Sequence, residues 1–326
     1  MRPTPPLLIL TIGQGLAGGI VLAFAFLKSL GGLSQSTAEA LVIMALGTAF
    51  IGGVASFFHM HRLAAARYVL RRLKTSWLSR EALTTGLFGG SLAILAVLTI
   101  FFGRAMMVSP GYWVWTWLCV ATGLLAMWVT AMLYATIPAM LSWHGALTVL
   151  AFIMVGVLSG FGLAAIVAPL NATVWVAFLV LVVGTAIVKG MHWAHFAEAR
   201  GKIRASTGTG LPFSPYRLQD TGTTKPPYRT QTQVWPVLSP GLRRTVMLAA
   251  AFLLFVVPLG LTLAQLLGGP SLLRFGVAVA AIGGVFLERW LFFGDATHSS
   301  RVFLSDEMAA LPRVPLNTNR RPTRVP

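Results

Sequence analysis

Six side chains in this 326-residue chain are strongly polar or ionisable groups set toward the ends of long apolar runs: Gln14, His59, Glu81, Tyr134, Glu288 and Arg289. An imidazole titrates near neutral pH, and a carboxylate taken out of water is raised toward the same range. His59 and Glu81 at such an edge could therefore exchange protons with a lipid-soluble quinol whose ring sits among apolar side chains. Each group also has a plainer reading. His59 could finish a helix, Glu81 could pair with Arg80 or sit favourably in a first helical turn, and Gln14 could make a helix-packing hydrogen bond. Glu288 beside Arg289 reads as a buried or interfacial ion pair. His61, His144, His192, His195 and His298 supply no matched axial pair on two helices near mid-membrane, so neither haem nor a bound metal is expected. The chain has one cysteine, Cys119, and no Walker loop, dinucleotide fingerprint or nucleophile elbow. No catalytic residue and no redox cofactor of its own are expected.

The elements that must position these groups follow from composition. The chain is 56% hydrophobic and 10% charged, which is more apolar material than a soluble domain can hide. Runs long enough to cross a bilayer fall near residues 7–27, 38–58, 82–103, 112–135, 146–168, 172–189, 245–267 and 272–291. Lipid offers nothing to unpaired backbone groups, and these runs do not alternate as barrel strands do. The expectation is an all-α polytopic membrane protein of about eight transmembrane helices in two four-helix bundles. Helices one to four, with the candidate pocket, take residues 1–140, and helices five and six take 141–191. A basic extramembrane connection follows at 192–244, then helices seven and eight at 245–294 and a polar Pro/Arg-rich tail at 295–326. The spacings Gly15/Gly19 and Gly156/Gly160 would let helix backbones approach closely.

The formal net charge is +17. With eight spans, both termini and the connections after spans two, four and six share one side. Arg62, Arg67, Arg71, Arg72, Lys74 and Arg80 lie in one of these connections, and nine more Lys and Arg, from Lys189 to Arg244, lie in or beside another. Only Lys28, Arg104 and Arg274 fall on the opposite side. The positive-inside bias puts the basic side in the cytoplasm. Membrane lipids and an acidic protein partner, rather than nucleic acid, are the expected counter-charges. Arg67, Arg71, Arg72 and Lys74 read as a docking surface for a soluble subunit, or more plainly as a topology signal.

Three stretches occur in order: Thr11-Ile12-Gly13-Gln14-Gly15-Leu16-Ala17-Gly18-Gly19, then Ala55-Ser56-Phe57-Phe58-His59-Met60, then Thr75-Ser76-Trp77-Leu78-Ser79-Arg80-Glu81-Ala82. With the eight-span length, they resemble the membrane-anchor subunit of dimethyl sulfoxide reductase and its relatives, including the anchor of membrane-bound sulfite dehydrogenase. The resemblance covers most of the chain and is most specific in Ser-Trp-Leu-Ser-Arg-Glu. It implies a non-catalytic subunit in the bacterial cytoplasmic membrane that binds an exchangeable quinone or quinol. Molybdopterin and iron-sulfur clusters would belong only to a catalytic partner and a ferredoxin-like partner. The family's quinol-site histidine and glutamate map onto His59 and Glu81, with Gln14 and Tyr134 as further quinone-site candidates. The family continues from its histidine as Leu-Gly-x-Pro, whereas this chain has Met60-His61-Arg62-Leu63, which makes His61 a rival. A secondary transporter and a purely structural membrane anchor are the alternative readings. The transporter would need paired broken helices or charges at mid-membrane.

Overall fold

The computed structural model describes residues 3–31, 33–59, 63–168, 171–202 and 238–299. Its eight helices long and apolar enough to span a membrane are α1 Pro5–Ser29, α2 Gln35–His59, α3 Trp77–Met107, α4 Pro110–Ala135, α5 Ala146–Ala164, α6 Ala172–Lys202, α7 Pro240–Leu266 and α8 Leu273–Gly294. The protein is polytopic and all-helical, the form in which a chain crossing lipid satisfies its backbone internally. Several helix starts are written in short sequence signals. Ser76, Ser109 and Ser239 accept the backbone N–H of Ser79, Tyr112 and Leu242, three residues on. Prolines open α1, α4 and α7, where no N–H is required.

Two helices run past their apolar stretches. α6 continues to Lys202, because beyond Lys189 it keeps a buried stripe of His192, Phe196 and Ala199 at helical spacing. The helix thus runs on through residues 192–202 of the stretch read as the basic connection, 192–244. α3 starts at Trp77 and breaks at Gly103, whose φ of +65° suits glycine. The break leaves the Thr99 carbonyl available, and the Gln35 amide donates to it at 3.1 Å. α7 carries a π-turn at Phe252–Val256. Pro258 cannot donate to the Leu254 carbonyl and crowds it, so the turn before it widens.

α1 is the centre of the molecule, with 18 of its 25 residues buried. It packs on α2 and α4 from the first set of four helices and on α5 and α8 from the second, so the two sets are joined along one seam. The two small-residue pairs meet there. A Cβ on Gly19 would fall 2.7 Å from the Gly156 carbonyl oxygen and 2.8 Å from the Gly160 Cα, and one on Gly160 would fall 2.5 Å from the Gly19 Cα. Only glycine allows the α1 and α5 backbones this approach. A second close crossing puts Gly13 of α1 against Thr48 and Gly52 of α2.

The basic face is tied together by charge. Arg200 at the end of α6 and Arg243 at the start of α7 grip Asp295, just beyond α8, at 2.5 and 2.6 Å. Burial pushes the Asp295 carboxyl up, against the pull of the two guanidiniums. At the opposite face, the Lys28 ammonium sits over the Trp113 ring, 3.2 Å from its centroid.

Candidate functional site

Glu81 is turned inward by the way its helix begins. Ser76 caps α3, and Trp77 packs edge-on against Trp128 of α4 with ring centroids 5.7 Å apart. Arg80 does not pair with Glu81. Its guanidinium lies over Trp77 and donates to the carbonyls of Leu73 and Lys74 at 2.8 and 2.7 Å. The basic connection is thereby laced to the helix start, and the next residue, Glu81, points into the bundle, where it is 9% exposed.

There the carboxyl meets Thr130 of α4, whose Oγ1 lies 2.8 Å from Glu81 Oε1 and 3.0 Å from Gln14 Oε1 on α1. The Gln14 amide nitrogen donates in turn to Thr85 Oγ1 on α3 at 3.3 Å. Four polar side chains from three helices thus form one chain in an apolar surround, with Gln14, Glu81 and Thr130 buried and Thr85 half-buried. Leaving one member of such a chain without its partner costs about 1–3 kcal/mol. Beside the chain is a cavity of about 260 Å³ between α1, α2 and α3, walled by Gln14, Phe50, Gly53, Thr85, Phe88 and Gly89 among others. Gly53 and Gly89 have open space where a side chain would begin. Phe50 is 69% exposed, so the α2 wall reaches the lipid-facing surface. Gly53 lies six residues before His59, which is about 9 Å of helix from the basic end of α2.

The structure brings Gln14 and Glu81 together, with Gln14 at the cavity wall and Glu81 one hydroxyl behind it. The α2 backbone ends at His59, whose side chain, like His61, lies outside the described residues. Tyr134 is elsewhere, packed with Trp143, Phe152, Phe292 and Phe293 at ring separations of 5.3, 6.2, 5.5 and 5.4 Å. It is within electrostatic reach of both Glu81 and Arg289. Glu288 and Arg289 form an ion cluster apart from the cavity. Glu288 pairs with Lys189 of α6, and Arg289 reaches its second oxygen at 3.2 Å. Arg289 also donates to the Phe152 carbonyl at 2.9 Å and lies over that ring. The Lys189 ammonium stands 2.9 Å from Nδ1 of His192, whose Nε2 meets Thr148 Oγ1 at 3.1 Å. Arg71, Arg72 and Lys74 are exposed at the basic face, and the side chain of Arg67 lies outside the described residues.

Sequence reading misses Thr130 and Thr85. One signal for Thr130 was available, since it precedes Tyr134 by one helical turn and so shares its inward face.

Fold and site together define a multi-pass membrane protein with a buried polar chain beside a lipid-accessible cavity near its basic face. The family model described as DMSO reductase anchor subunit (DmsC) matches residues 1–294, and the chain belongs to that family. It is a membrane-anchor subunit of an oxidoreductase complex. Among curated proteins it is similar to a sulfite dehydrogenase subunit of Allochromatium vinosum, 26% identical over 322 residues, covering 93% of this chain and 98% of that protein.

Proposed function

We propose that this anchor binds quinone or quinol in the cavity between α1, α2 and α3 and exchanges electrons with an iron-sulfur subunit docked on the basic face. The partner complex is of the dimethyl sulfoxide reductase or sulfite dehydrogenase type, with molybdopterin in a catalytic subunit. The chain sits in the bacterial cytoplasmic membrane with its basic face in the cytoplasm, as its charge distribution supports. The observation that carries the reading is the cavity itself. Its wall is apolar except for one amide and one hydroxyl, Gln14 and Thr85, and it reaches the lipid-facing surface beside Phe50. That is the wall a quinone ring needs: apolar faces for the ring, polar groups aimed at an oxygen, and an exit for an isoprenoid tail.

Reducing a quinone takes two electrons and two protons, and oxidising a quinol returns them. In this proposal electrons pass to or from the nearest cluster of the docked subunit. Glu81 and His59, near the basic face, are the proton-exchanging groups. Gln14 holds one ring oxygen, and the surrounding apolar residues keep water from the ring. Tyr134, outside the cavity wall, contributes through the electrostatic environment of Glu81 rather than by contact.

The test is to fill the cavity without disturbing the fold. Gly53→Leu and Gly89→Leu place side chains into open space. Each should weaken binding of a quinol analogue to the purified complex by about tenfold or more, while dye-coupled activity of the catalytic partner persists. Unchanged analogue affinity in both variants would remove the cavity from the proposal.

A further inference from the structure

Thr130 poses a question of hydrogen count. Its oxygen lies within hydrogen-bond distance of Oε1 of Glu81 and Oε1 of Gln14, at 2.8 and 3.0 Å, yet a hydroxyl carries one hydrogen. It can donate to one of those oxygens, and the second contact needs a hydrogen from the other side. All three groups are buried, where an unmatched pair of acceptors is costly.

Two arrangements satisfy every group. In the first, Glu81 is protonated and donates to Thr130, Thr130 donates to Gln14 Oε1, and the Gln14 NH2 donates to Thr85. In the second, Glu81 is ionised and accepts from Thr130. The Gln14 amide is then turned over, its NH2 donating to Thr130 and its oxygen accepting from the Thr85 hydroxyl. The two differ by one proton on Glu81 and a half-turn of one amide.

Gln14 and Thr85 both line the cavity, so the end of the amide facing Thr85 is the end the cavity meets. An NH2 there has a second hydrogen to offer, and a carbonyl oxygen there has a second lone pair. The cavity thus meets a donor when Glu81 is protonated and an acceptor when it is ionised. A quinone presents only acceptors at its ring oxygens, and a quinol presents donors.

We infer that Glu81, Thr130 and Gln14 act as a proton-read selector, in which the Thr130 hydroxyl converts the protonation state of Glu81 into a cavity preference for quinone or for quinol. This rests on the proposed quinone site. Thr130 is a positioning residue, since it acts on the ligand through Gln14. Among the described side chains, the titratable or charged neighbours of Glu81 are Tyr134 of α4, which also feels Arg289 of α8, and Arg80 of α3, which is committed to the Leu73 and Lys74 carbonyls.

The experiment measures the affinities of the purified complex for a short-tailed quinone and for a non-oxidisable quinol analogue across the pH range in which Glu81 titrates. In the wild type, the ratio of the two should swing from quinone toward quinol by about tenfold as pH rises. Thr130→Val should flatten the swing while both ligands still bind, and Thr130→Ser should restore it. Infrared difference spectra of the wild type give a second measure that needs no Thr130 variant. A protonated carboxyl band, absent in Glu81→Gln, should accompany bound quinone and disappear with bound quinol. A swing that persists in Thr130→Val, or a carboxyl band that ignores the ligand, would overturn the selector while leaving the quinone site standing. If neither ligand binds the wild type, the site fails, and the selector with it.

Discussion

Gln14 on α1 and Glu81 on α3, distant in sequence, meet through a single hydroxyl group, that of Thr130 on α4. The contact gives the carboxyl a structural reason to face inward. It also links a group near the basic face, where protons are available, to a group at the wall of a lipid-accessible cavity. The proposed proton-read selector depends on that link.

Replacing either proton-exchanging candidate should separate quinone chemistry from assembly. Glu81→Gln or His59→Asn is expected to abolish quinone-coupled turnover of the assembled complex while its activity with an artificial dye stays near the wild-type level. Parallel assays with a quinone and a dye on the same preparation measure this. Retention of quinone turnover in both variants would reject the assignment of these residues.

Much of this architecture was legible in the sequence. The eight spans follow from apolar length, and small-residue spacing marks Gly15/Gly19 and Gly156/Gly160 as places of close helix approach, while only the fold shows that the two pairs meet each other. The inward turn of Glu81 was less visible, because it depends on where Arg80 goes. The sequence leaves Arg80 free to pair with its neighbour, and only the fold brings the Leu73 and Lys74 carbonyls within its reach. Thr130 was hidden for another reason. A threonine in an apolar helix usually satisfies itself on its own backbone, and its role becomes apparent only when α1 and α3 bring Gln14 and Glu81 to it. Lys189 read as lying in or beside the basic connection because it ends an apolar run. The continuation of α6 to Lys202 instead buries it against Glu288.

That buried ion cluster should be structural. Glu288→Ala leaves the Lys189 and Arg289 charges facing each other without a carboxylate, a loss of about 3–5 kcal/mol. Thermal unfolding of the complex in detergent should show a large fall in Tm. Quinone affinity should hold below that transition, since the cluster stands apart from the cavity. A variant as stable as the wild type would show that the ion pairs carry little of the packing.

The α1–α5 seam should tolerate no side chain. Gly160→Leu must push apart backbones that meet at the Gly19 Cα and is expected to cost about 1–3 kcal/mol or more. Gly86→Leu, at a position with open space around it, should be close to neutral. Comparing the yield of folded protein and the Tm of the two variants measures the difference, and equal behaviour would contradict the close contact.

Exposed charge at the basic face should govern docking. Reversing Arg71, Arg72 and Lys74 to Glu is expected to weaken association with the iron-sulfur partner, mainly through a slower on-rate, and to reduce its salt dependence. Association kinetics at low and high ionic strength would show this. An unchanged on-rate would leave these residues as a topology signal alone.

The most direct measurement is to let a photoreactive quinone mark its own position in the intact complex. The expected cross-links fall on α2 around Phe50 to Gly53 and on α3 around Thr85 to Gly89, and excess quinol analogue suppresses them. Suppressible labelling confined to α5 through α8, with α2 and α3 unlabelled, would contradict the account.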